Sequence, residues 1–181
     1  MSDDVSRGVT RPNDAVWIAP PEEVVARRRA LGLDLLDEVW GGVYHMAPNP
    51  HIRHGMVDQE LAYLLQPLAR RAGLIGTGTF NLGAPDDFRV PDRGLHRNPQ
   101  LAVFVPTAAM VVEILSPGDE TFAKFHFFAA HGVGEIMVAD PDLRTIRLWR
   151  LRPDGAGYRE VQRSALLEVS AAELTEAVRW P

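Results

Sequence analysis

The chain has 181 residues, 46% of them apolar and 24% charged, with a formal net charge of −5 and no cysteine. That length and balance suit one globular domain with room for a sizeable core. The missing thiols exclude disulfides, thiolate nucleophiles and cysteine-based zinc sites, and the excess of acid argues against a protein that coats nucleic acid non-specifically.

No apolar run approaches the roughly 20 residues of a membrane span, and Met1-Ser-Asp-Asp-Val-Ser-Arg7 lacks the apolar segment of a signal peptide. The expectation is a cytoplasmic protein without membrane contact. Residues 1–19 are polar and aperiodic and are expected to form a mobile arm, leaving 20–181 as one domain. Pro20-Pro21-Glu22-Glu23 predicts a helix to about Ala30, because proline suits the first turn and acid suits the positive end of the helix dipole. Residues 35–46 read as a strand pair about the turn dipeptide Gly41-Gly42. A helix follows over about 51–72, with Val57, Leu61, Leu64, Leu65, Leu68 and Ala72 on one face; Pro67 is expected to kink or break it.

Residues 76–82, 88–92 and 101–105 predict short strands, and 93–100, rich in glycine, asparagine and proline, predicts a loop. Residues 108–115 are nearly all apolar and predict a strand buried on both faces. Ser116-Pro-Gly-Asp119 predicts a helix start, with the serine as cap and Asp119 near the free amides, running to about Ala130. In that helix Phe122, Phe125 and Ala129 share one apolar stripe. Strands follow over 135–140, 145–150 and 158–162, and Ser170 opens a last helix. This order predicts an α/β (α+β) fold, a mixed sheet flanked by helices. Val111, Ile114 and Leu115 should be buried, and the helix bearing Leu61 and Leu68 should cover one face.

Three residues stand out chemically. Glu113 interrupts the run Met110-Val-Val-Glu-Ile-Leu115, and a carboxylate inside a buried strand must be paired or bind a cation. Asp92 follows Pro91 at a strand end, where an aspartate otherwise caps its own turn. Lys124 lies in the helix after the Glu113 strand, where its plain alternative is a surface pair with Glu120 at i, i+4. Together, two carboxylates at strand ends and a nearby lysine have the composition of a phosphodiesterase centre. The acids offer hard oxygen ligands for Mg²⁺ or Mn²⁺, and the lysine offers fixed positive charge to the phosphoryl transition state. Glu60, on the long helix, and His54, three residues after His51, are accessory candidates, as is Glu120.

Several motifs then point to one family. Trp40-Gly-Gly-Val-Tyr-His-Met-Ala-Pro48, Arg89-Val-Pro-Asp92, Val111-Val-Glu-Ile-Leu-Ser-Pro117, Asp119-Glu-Thr-Phe-Ala-Lys124, His131-Gly-Val-Gly-Glu135 and Val138-Ala-Asp-Pro141 resemble the Uma-two family, described as restriction endonucleases of the PD-(D/E)XK superfamily. The resemblance runs from about Asp37 to Trp149. It implies a restriction-endonuclease-like core, an Mg²⁺-dependent centre hydrolysing DNA, and a homodimer for duplex cleavage. Asp92 matches the PD aspartate and Glu113 the (D/E) position. Leu115 stands where the superfamily has its lysine, and the resemblance implies that Lys124, from the following helix, replaces it. Gly42 stands where relatives often carry an acidic residue.

Two other readings remain open. A nuclease fold without catalysis, working as a binding or assembly module, would suit the displaced lysine and the acidic charge. A glycosidase would use Asp92 and Glu113 as its carboxylate pair, but leaves Lys124 without a role.

Overall fold

The computed structural model describes residues 15–17, 20–47, 50–118 and 120–181. The expected arm, residues 1–19, lies outside these except for Ala15–Trp17, which form strand β1. Helix α1 is Glu22–Ala30. Strands β2 (Glu38–Trp40) and β3 (Val43–Met46) make the expected hairpin. Gly41 and Gly42 both take positive φ, at 55° and 86°, the two-residue turn that matches strand twist and that glycine adopts without a Cβ clash.

Helix α2 spans Ile52–Arg71, and the His51 ring caps it by accepting the Arg53 amide. The helix is continuous through Pro67, contrary to a break there. Pro67 is exposed, as is Tyr63 one turn earlier, so the carbonyl that loses its helical partner faces water, which can replace it.

Two six-stranded sheets follow from β4 (Ile75–Thr77), β5 (Asn81–Ala84), β6 (Asp87–Arg89), β7 (Arg93–His96), β8 (Phe104–Val105), β9 (Met110–Ile114), β10 (Glu135–Asp140), β11 (Thr145–Leu151) and β12 (Tyr158–Val161). The first sheet has the order β1-β3-β2-β6-β5-β8 and the second β12-β11-β10-β9-β7-β4. Both are mixed: β5 and β8 are parallel, as are β9 and β10. The expected architecture therefore holds, with a second sheet that the sequence pattern did not separate from the first.

Arg93–His96 is the main correction. It is a strand between β4 and β9 rather than a loop. Its Gly94 is a packing glycine, because a Cβ there would meet the Phe80 ring and the His96 imidazole at 2.5 Å each. Pairing on both sides overrides the local composition. The helix expected from Ser116 also begins later. A single 3₁₀ turn, Thr121–Lys124, leads into helix α3, Phe125–Ala130. Gly118 has φ 84°, which no right-handed helix accommodates, and Asp119 lies outside the described residues. The buried aromatic residues of α3 are Phe127 and Phe128, while Phe122 is half exposed.

The last helix, α4 (Ala171–Ala177), starts at Ser170 with a reciprocal capping box to Glu173. One core lies between the second sheet and α2 with α4, uniting Leu61, Leu65, Met110, Val112, Ile114 and Leu174. The other lies on the opposite face under α3, uniting Val111, Phe127, Phe128, Ile136 and Val138. The odd and even residues of β9 thus face different cores, and Glu113 shares its parity with Val111. Among the described residues no helix is long and apolar enough to cross a membrane.

Gly83 of β5 tests the joint between the first sheet and α3. Its φ is +121°, and a Cβ there would lie 2.4 Å from the Asp87 carbonyl oxygen and 2.8 Å from the Phe127 ring. Gly83→Ala should cost about 1–3 kcal/mol and lower the melting temperature by roughly 2–4 °C for each of them. Unchanged thermal unfolding would contradict this packing.

Candidate active site

The chain leaves the first sheet at Arg89, the end of β6, and enters the second at Arg93, the start of β7. Val90-Pro91-Asp92 is the bridge, and the candidate residues gather around it. β7 pairs with β9 so that Arg93 faces Val112. One further step of that antiparallel register sets Asp92 opposite Glu113, a relation that brings Cβ atoms to about 5 Å. The Asp92 carboxylate accepts the backbone amide of Ile114, the neighbour of Glu113, at 2.7 Å. Its other oxygen lies 3.1 Å from Nε2 of His54, which α2 brings to the same strand end.

Glu113 is 3% exposed. The Lys124 ammonium lies 3.5 Å from its carboxylate and is not turned out to pair with Glu120. Lys124 ends the 3₁₀ turn that follows β9, and a side chain of about 6 Å leaning toward the helix start reaches back to the strand end.

Glu38 at the head of β2 completes the cluster, and sequence reasoning passed over it. Its Oε1 accepts Lys124 Nζ at 3.0 Å and the Val90 amide at 2.7 Å, and its Oε2 accepts the Trp40 indole N–H at 2.5 Å. A strand of three residues contains no apolar run for a charge to interrupt, so the signal that marked Glu113 was missing. Removing one member of such a buried ion pair strands its partner, at a cost of about 3–5 kcal/mol. Asp58 was also passed over. One turn after His54 on α2, it pairs with Arg93 at 2.6 Å and anchors the residue beside Asp92.

The remaining candidates lie elsewhere. Glu60 accepts the Arg179 amide at 3.4 Å, beside the C-terminal residues. Glu120 is exposed and 3.6 Å from the His45 ring. Trp40 is sealed on both faces, by His45 at 4.3 Å and by the Arg89 guanidinium at 4.6 Å, which leaves no face for a base to stack on. Arg89 itself is buried between Trp40 and the Phe127 ring at 4.0 Å, and donates to the Val39 carbonyl and to Asp87. Burial pushes the Asp87 carboxyl up, but the Gly41 amide and Arg89 outweigh it and hold it below its ordinary value.

As a metal donor set, the described residues include no group of three His, Asp or Glu placed to hold one ion. Asp92 and Glu113 as a facing pair fit Mg²⁺ or Mn²⁺, which take one or two carboxylates and fill the remaining positions with water and phosphate oxygen. They do not fit zinc, which takes three or four protein ligands.

A mixed-sheet α/β protein with an acidic cluster and a lysine at a strand end is the class that these features define. A family model described as "Putative restriction endonuclease", Uma2 (Uma-two), matches residues 35–180, and the chain belongs to that family. The crystal structure of "a putative nuclease belonging to DUF820" from Anabaena variabilis ATCC 29413 shares the fold, with a TM-score of 0.63 and 16% identity over 78% of this chain and 90% of that one. No curated protein matches the chain.

Two imidazoles, His96 buried and His45 partly buried, set an acid limit on stability. Burial holds His45 below its ordinary value, with Glu120 and Glu38 opposing. Burial does the same to His96, opposed by a hydrogen bond with the Thr107 backbone. As pH falls, the unfolded chain takes up these protons near pH 6.5, before the folded protein does, so acid favours unfolding. The urea midpoint should be level above about pH 7 and fall progressively below 6.5. His96→Asn should flatten part of that fall; an equal slope in the variant would contradict the assignment.

Proposed function

We propose that this protein is a divalent-metal-dependent endonuclease that hydrolyses DNA phosphodiester bonds, with Asp92, Glu113 and Lys124 as its centre. One observation carries the reading. Asp92 is tied to the Ile114 amide at 2.7 Å, while the adjacent Glu113 has the Lys124 ammonium at 3.5 Å, so two acids and a cation share one strand end. The family is described as one of restriction endonucleases and the Anabaena protein as a nuclease, and both descriptions support the reading.

Asp92 and Glu113 would hold the Mg²⁺ or Mn²⁺ ion, which when bound supplies Lewis acidity to water and phosphate. The residues supply the rest. The Ile114 amide and His54 fix the Asp92 carboxylate in one rotamer, so no reorganisation is needed when phosphate arrives. Lys124 sets a permanent positive charge where the pentacoordinate phosphorus gathers negative charge, and the low exposure of Glu113 keeps that charge unscreened. A net charge of −5 makes the centre depend on cations to admit a polyanion. A duplex cut on both strands needs two centres, so the reading includes a homodimer.

The test is cleavage of duplex and single-stranded DNA with Mg²⁺, Mn²⁺ or chelator. The parent should cut only with metal. Asp92→Asn and Glu113→Gln should lose about 100-fold or more and also lose stabilisation by Mn²⁺. Lys124→Ala should lose cleavage to a similar degree but keep the Mn²⁺ stabilisation, because it ligates nothing. A parent that cuts no DNA would overturn the nuclease reading and leave the fold as a binding module. Full activity in Glu113→Gln would overturn the site.

A further inference from the structure

We infer that Glu38 is a positioning residue for this centre: a carboxylate from the first sheet that holds the Lys124 ammonium beside Glu113. The inference rests on the nuclease reading above and deepens it.

The superfamily arrangement expected for the sequence would put lysine two residues after the acid, on the same strand and the same face. There the strand itself fixes the lysine, since alternate residues of a strand project together. Leu115 stands at that position here. Lys124 instead comes from a single 3₁₀ turn, a less rigid support, and its four-carbon stem has many rotamers. Something outside its own element has to choose among them.

Glu38 has the geometry for that task. It lies closer to Lys124 than Glu113 does, 3.0 Å against 3.5 Å. Its own carboxylate is immobilised by the Val90 amide and the Trp40 indole. Trp40 is clamped between His45 and Arg89, so the anchor is rigid through two further layers. Val90 lies two residues before Asp92, and the amide that fixes Glu38 therefore belongs to the bridge that places Asp92. The lysine and the aspartate are registered from one segment. Both acids beside Lys124 are almost fully buried, which keeps the attraction strong. With three donors on its oxygens, Glu38 is committed to this scaffold and serves as an anchor for the lysine, not as a ligand of the metal.

Glu38→Gln tests this by removing the negative charge that holds the ammonium. Its amide oxygen can still accept from Val90, but its NH2 then faces the Trp40 indole N–H, donor against donor, so folding of the variant is checked first. In the Mn²⁺-loaded protein, kcat should fall by about 10- to 100-fold, the effect of a group misplaced by about 1 Å. KM for DNA and the stabilisation by Mn²⁺ should stay at the parent values. Independently of cleavage, acetylation of Lys124 by an amine-reactive reagent, read by mass spectrometry at fixed pH, should be several-fold faster than in the parent. Glu38→Asp, which withdraws the carboxylate by one methylene, should fall between the two on both readouts and covers the case in which Glu38→Gln does not fold.

Parent kcat and parent labelling in a folded variant would overturn the inference while leaving the nuclease reading intact. A raised KM with unchanged kcat would also overturn it, because it would place Glu38 in substrate binding. If the parent itself cuts no DNA, the nuclease reading fails, and the labelling of Lys124 still decides whether Glu38 holds it.

Discussion

The Lys124 ammonium stands between two carboxylates that belong to different sheets, Glu38 of the first and Glu113 of the second. Each acid is buried, and burying a carboxylate away from any cation is costly. The lysine is equally constrained, since it comes from a short turn and lies mostly out of water. Three charges that would each oppose folding singly are tolerable as a set, and the set exists only when the two sheets are docked.

The docking is organised by a three-residue bridge. Val90 gives its amide to Glu38, and Asp92 takes the amide of Ile114. One short segment therefore touches the acid of the first sheet and the residue next to the acid of the second. Pro91 between them is buried and has no amide to satisfy, which suits a crossing where the ladder of neither sheet continues. Helix α2 braces the same place from the other side. His54 meets Asp92 and Asp58 meets Arg93, four residues apart and so on one face of the helix.

What was legible in the sequence follows from how local each signal is. The α2 span, the Gly41-Gly42 hairpin, the strands β10 and β11 and the Ser170 cap were readable because periodicity, turn residues and capping act within a few positions. Glu113 was readable because a long apolar run made one charge conspicuous, and Lys124 because a family resemblance supplied what local pattern did not. Arg93–His96 was not readable as a strand, because its residues gain that state from partners on both sides and Gly94 serves a ring packed from elsewhere. Glu38 was hidden for a related reason. Its three-residue strand has too little context to show which face is buried, and its partners Lys124 and Val90 are distant in sequence.

The separation between Glu38 and Lys124 is 86 residues, and that distance governs when the cluster can form during folding. Closing a loop of that length costs chain entropy before any contact repays it, and non-local strand pairing is slow for the same reason. The hairpin β2–β3 and helix α2 can form from neighbours, but the acidic pocket cannot be completed by any fragment ending before Lys124. On a ribosome that adds about 5–20 residues per second, the charged cluster is therefore a late assembly. A nascent polypeptide short of that point would hold its acids apart and hydrated, so the charged cluster is complete only once both sheets can dock.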